Sequence, residues 1–231
     1  MSAADAMLYC PQPPQVLLEC AETLQSDMSD EQFLSKGRDF EQKVQEAFPA
    51  AVFSCIFDTT VCPVRIRMAH QQVLDFELIS NSNEVYKFEV VTAYEPGRKI
   101  RLEYRDSKKP AFPPRGLSGV PVPAEWVATT ILNKTAKVEK KRLNRHLLVY
   151  QNISGGAADL KRLRKLVSGV ESIWASVWII SGVPDWGGVA LLCNTHGFNW
   201  STMKWLSYVN AQEGMGFSGF DIYLQQGESI G

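Results

Sequence analysis

Between residues 124 and 194 the chain switches repeatedly between two hydrophobic periods, and that alternation restricts the fold more than any other feature. A helical period runs from about Ala124 to Leu143, and the uninterrupted apolar run HLLVYQNI follows it. After the turn SGG come a helical segment around AADLKRLRKLV and two further apolar runs, SIWASVWIIS and GVALLCN. Strands that are apolar on both faces need cover on both sides, and amphipathic helices supply it. The expected class is α/β: a mixed central β-sheet flanked by helices on both faces.

In the first half, SDEQFLSKGRDFEQKVQEAFPA predicts a helix with Phe33, Phe40, Val44 and Ala47 on one face, a cap at Ser29-Asp30 and an end at Pro49. AVFSCIFDTTV and VLDFELIS read as strands rich in β-branched and aromatic residues. The polar turn NSNE then joins VLDFELIS to YKFEVVTAY in a hairpin. KIRLEY reads as a further strand or the tail of that meander. The proline-rich KKPAFPPRGLSGVPVP reads as a surface loop, because neither half has enough strands to close a core alone. Residues 1–28 read as an irregular N-terminal arm with one short helix around VLLECAETL, and 29–231 as a single domain. STMKWLSYV reads as a last short helix.

Composition narrows the function classes. With 231 residues, 45% apolar and 21% charged, the chain can bury one sizeable core. No apolar run approaches the roughly 20 residues of a membrane span, and MSAADAMLYC lacks the basic start and apolar centre of a secretory signal. A cytoplasmic chain without a membrane partner is therefore expected. Five scattered cysteines with no C-x-x-C pair, and only three histidines, argue against zinc and leave a hard ion held by carboxylates. The histidines have no Ser or Cys neighbour at a motif spacing, which argues against nucleophilic catalysis. The net charge of -1 conceals an asymmetry: residues 134–165 hold ten Lys and Arg against two acids. Such local density suits nucleic acid, although solvated helix faces produce it too.

Residues two apart on a strand share a face, so Asp75 and Glu77 point together from one hairpin strand and Lys87, Glu89 and Val91 from the other. Converging carboxylates repel one another unless a cation lies between them, which is how Mg²⁺ sites for phosphodiester chemistry are built.

A helix carrying GRDFEQKV, strands carrying Asp75 in LDFEL and Glu89 in FEVVT, a helix carrying ILNKTAK and the strand HLLVY together resemble the core of the PD-(D/E)xK, or restriction-endonuclease-like, superfamily over residues 30–155. The resemblance implies a divalent-metal-dependent phosphodiesterase acting on DNA or RNA. Asp75 and Glu89 would bind Mg²⁺ or Mn²⁺, with Glu77 or Glu41 assisting. The family's lysine lies two residues after the second acid, where this chain has Val91. In some branches the lysine has moved to the following helix, and Lys134 matches that arrangement, within the stripe Val127, Ile131, Lys134 and Val138. The other reading of Lys134 is a long side chain that covers the stripe and ends in solvent. Lys87 precedes Glu89, which would put its amine elsewhere.

Lys137, Lys140, Lys141, Arg142, Arg145, Lys161, Arg162 and Lys165 would hold a phosphate backbone. The alternative is a catalytically inactive protein of the same fold that binds nucleic acid or a protein, and Val91 favours it. A protein partner would dock through the 110–124 loop, with Trp186 as an exposed contact, and a homodimer is compatible with either reading. Trp174 and Trp178 are expected to pack between sheet and helices.

Overall fold

The structure, a computed structural model, describes residues 7–27, 39–70, 74–98, 122–138, 142–153, 158–183, 186–200, 204–207 and 223–226. It is a mixed α/β protein whose chain divides into two compact units. The first comprises Met1–Val90, Gly97–Ala111 and Asn144–Leu148; the second comprises Val91–Pro96, Phe112–Leu143 and Val149–Gly231. Among the described residues no helix is long and apolar enough to cross a membrane.

The first unit is built on two helices and a meander. Helix α1 (Pro14–Asp27) is longer than the short helix expected around VLLECAETL. It buries Leu17, Leu18, Ala21 and Leu24 and packs on α2 (Asp39–Thr60). Helix α2 departs from the sequence reading, because it neither ends at Pro49 nor gives way to a strand at AVFSCIFDTTV. Proline inside a helix removes one hydrogen bond and costs about 3 kcal/mol. Every residue from Ala47 to Phe57 is buried, and each large apolar side chain among them is worth about 1.5–3 kcal/mol, so Phe53, Ile56 and Phe57 outweigh that cost. A short apolar run does not by itself distinguish a strand from a helix buried all round, and tertiary burial decided between them.

Asp58 ends the connection by accepting the Val64 N–H at 2.7 Å, and the first strand is therefore β1 (Val64–Met68), in VRIRM, rather than the segment before it. β1 pairs antiparallel with β2 (Phe76–Ser80), which pairs antiparallel with β3 (Val85–Tyr94), as the hairpin reading of NSNE requires. Asn83 takes the left-handed conformation at φ 64°, which asparagine tolerates better than most residues. Phe53 of α2 lies 5.1 Å from Phe88 and 6.3 Å from Phe76, while Phe76 and Phe88 stack across the ladder at 4.7 Å. His146 completes this core 4.9 Å from Phe88. It comes from β4 (Arg142–Asn152), whose residues 144–148 belong to this unit.

In the second unit, α3 (Ala124–Ala136) stops well before the expected Leu143, so Arg142 and Leu143 lie on β4 instead. The bulky Trp174 anchors α3 to β5 (Trp174–Val183) by donating its indole N–H to the Thr135 hydroxyl at 3.0 Å. Helix α4 (Leu160–Leu166) begins at Asp159, whose carboxylate accepts the Arg162 N–H at 3.0 Å. β5 and β6 (Trp186–Asn194) pair antiparallel, followed by β7 (Lys204–Ser207) and β8 (Tyr223–Gln226), also antiparallel. STMKWLSYV thus contributes a strand at Lys204–Ser207 rather than a helix, and Trp186 is the first residue of β6. Trp174 and Trp178 are buried core residues, as expected.

Candidate functional site

The charged centre of the first unit forms where α2 crosses the open end of the β2–β3 hairpin. Asp75 precedes β2 by one residue, just beyond the last register pair Phe76↔Phe88, and Glu89 follows Phe88 on β3. The Asp75 backbone is locked there: its N–H donates to Phe88 O at 3.0 Å, and its carbonyl accepts the Ala69 N–H at 2.9 Å. Both Asp75 and Glu89 are buried. Carboxylates taken out of water need hydrogen-bond donors or countercharges.

The protein supplies both. Asp75 Oδ2 accepts the Val90 N–H at 2.6 Å, and Asp75 Oδ1 lies 3.1 Å from Lys43 Nζ. Lys43 also reaches Glu46 Oε2, one turn along α2, at 3.1 Å and the Leu74 carbonyl at 3.2 Å. A lysine ammonium has three N–H donors, so each has an acceptor here. Glu89 Oε1 accepts from Arg145 Nη1 of β4 at 3.0 Å, with the Glu89 side chain 6% exposed and that of Arg145 26%.

The electrostatics follow first from burial and then from the charges that Glu46, Asp75 and Lys43 present to one another. Burial, together with the Asp75 charge, pushes the Glu46 carboxyl up to about 7, and Lys43 only partly opposes that. Burial tends to lower the Lys43 pKa, but Glu46 and Asp75 reverse this and leave it raised. The ammonium therefore remains charged across the neutral range.

The sequence-predicted residues fare unequally. Asp75 and Glu89 are brought to the same end of the hairpin. Glu77 is engaged elsewhere, in an ion pair with Arg67 across β1 and β2 at 2.6 Å. Glu41 lies on α2 with its side chain outside the described residues. Lys134 sits half-buried near the end of α3 in the second unit, whereas Asp75 and Glu89 belong to the first. Lys87 is exposed, opposite Glu77 in the register.

Of the basic set, Lys137 is exposed just beyond α3, and Lys161, Arg162 and Lys165 are exposed on α4. Arg162 pairs with Glu125 of α3, and the neighbouring Arg164 donates to the Leu191 carbonyl at 3.0 Å, which fastens α4 to its unit. Lys140 and Lys141 lie outside the described residues, as do the Arg142 side chain, the Trp186 side chain and most of the 110–124 loop.

Sequence reasoning missed Lys43 and Glu46, and it assigned Arg145 to a phosphate backbone rather than to Glu89. Their i,i+3 spacing beside the apolar residues Val44 and Ala47 was the available signal. Nothing local connects Lys43 to Asp75, which is 32 residues away.

Among the described residues no three His, Cys, Asp or Glu side chains converge as a metal site. The Asp75–Glu89 pair fits a divalent cation poorly as folded, because Lys43 and the Val90 N–H already engage Asp75, and Arg145 engages Glu89. Comparisons with protein-family models, curated proteins and solved structures return no match.

Proposed function

We propose that this chain is a nucleic-acid-binding protein on a restriction-endonuclease-like framework that does not cleave what it binds. One observation carries the reading: the two acids that the resemblance assigns to metal are each countered by a cation of the protein's own, Lys43 for Asp75 and Arg145 for Glu89. Val91, in place of the family's lysine, points the same way. The binding half rests on α4, which exposes Lys161, Arg162 and Lys165 within seven residues and is braced from behind by Arg164. Exposed cations on a rigid helix contact phosphates without reading bases, so affinity should fall steeply with salt. The test is binding of fluorescent DNA and RNA duplexes at several salt concentrations, alongside incubation with Mg²⁺ and Mn²⁺. Salt-sensitive binding without cleavage, retained in Asp75→Ala and Glu89→Ala, supports the proposal; loss of binding in those variants overturns it.

A second reading, a Mg²⁺- or Mn²⁺-dependent phosphodiesterase, is favoured by the burial of Asp75 and Glu89 next to the pair Phe76↔Phe88 at one end of the hairpin. It requires Lys43 to leave Asp75, with Lys134 as the lysine the resemblance supplies. Metal-dependent cleavage abolished by Asp75→Ala would establish it in place of the first.

A further inference from the structure

The three acceptors around Lys43 Nζ are a carboxylate of Glu46, a carboxylate of Asp75 and the carbonyl of Leu74, at 3.1, 3.1 and 3.2 Å. All three are hard oxygens from two separate stretches of chain, α2 and the segment leading into β2. That donor set is what a hard divalent cation takes, at about 2.0–2.1 Å for Mg²⁺ and 2.3–2.6 Å for Ca²⁺. Replacing an ammonium by such an ion asks the oxygens to close in by about 0.5–1.2 Å. The Lys43 side chain is 10% exposed, so it is a component of the interior rather than a surface residue folded back.

We infer that Lys43 is a built-in monovalent cation that occupies the divalent-cation position of this acidic centre, so that the wild-type centre recruits no metal and gains one when the ammonium is removed. The inference deepens the non-cleaving reading above and rests on its account of the acids, but it makes no reference to nucleic acid. Charge counting supports it. With both carboxylates ionised, the single positive charge of Lys43 leaves the cluster one charge short of neutrality. A divalent ion would balance both carboxylates, and Lys43 stands where it would bind. Methionine keeps much of lysine's length and volume without its charge, so Lys43→Met should open the position while filling the apolar part of the side-chain channel.

The experiment is Mn²⁺ binding by the full chain, followed by calorimetry and by the electron paramagnetic resonance signal of free Mn²⁺, with thermal melting recorded in parallel. Wild type should show neither saturable binding nor a Mn²⁺-dependent melting shift. Lys43→Met should bind Mn²⁺ at least about tenfold more tightly, with a rise in melting temperature, and adding Asp75→Asn or Glu46→Gln to it should remove both effects. A folded Lys43→Met protein that binds no better than wild type overturns the inference. So does saturable wild-type binding that Asp75→Asn abolishes. If Lys43→Met does not fold, Lys43→Gln takes its place, and the wild-type and Asp75→Asn titrations stand on their own. Failure here leaves nucleic-acid binding untouched, while failure of the binding assay leaves the Mn²⁺ titration untouched.

Discussion

Replacing Glu46 by glutamine should make the protein more stable than wild type at high pH and progressively less so as the pH falls. The native structure holds the Glu46 carboxyl at about 7, against an ordinary value of 4.5 in the unfolded chain. A group whose folded pKa is raised binds more protons in the native state than in the unfolded state between those two values. Its favourable contribution is complete below about 4.5 and is lost as the pH rises through about 7. A difference of this size corresponds to about 3 kcal/mol across the whole window. Glutamine cannot titrate, yet it presents an amide oxygen to Lys43 Nζ. Urea denaturation of both proteins at intervals from about pH 5 to 8.5 measures the difference directly. The advantage of Glu46→Gln should grow by about 2–3 kcal/mol from the acid to the alkaline end, with most of the change centred near neutrality. A difference that is flat with pH, or that grows toward acid, would refute the claim that burial and the neighbouring Asp75 charge hold the Glu46 carboxyl above its ordinary range.

Arg145→Met should destabilise the protein by about 1–3 kcal/mol in urea, because it removes a charged hydrogen bond from the buried Glu89 carboxylate. Phe53→Ala should cost about 3–5 kcal/mol, since Phe53 is fully buried between Phe57, Phe76 and Phe88. Arg67→Ala should cost under about 1 kcal/mol despite its short ion pair with Glu77, because the Arg67 side chain is 41% exposed. Under the nucleic-acid-binding proposal, Lys161→Gln with Lys165→Gln should leave the circular dichroism spectrum unchanged while reducing the slope of log affinity against log salt by about 2.

Much of the secondary structure was legible because it is written in local patterns. The NSNE turn flanked by alternating strands announces the β2–β3 hairpin, and the apolar runs containing Trp174 and Leu191 announce β5 and β6. The main error, at AVFSCIFDTTV, has a definite cause. Its β-branched and aromatic content favours a strand, and Pro49 reads as a helix end just before it. What keeps α2 helical through this stretch is burial on every side, a property of the neighbours rather than of the segment. The end of α3 at Ala136, and with it the move of Arg142 onto a strand, escaped the sequence for a related reason: a run of lysines and arginines suits either state.

The acidic centre divides along the same line. The sequence alone placed Asp75 and Glu89 on the two arms of one hairpin, because strand alternation and a short turn restrict the register. It also showed Val91 at the position where the resemblance would place a lysine. Only the tertiary structure decided what those acids meet. Lys43 and Glu46 lie on a helix remote in sequence from Asp75, and Arg145 lies 56 residues beyond Glu89. Pairing across such distances depends on how α2 and β4 pack against the hairpin, and buried carboxylates take whichever cations that packing brings within reach.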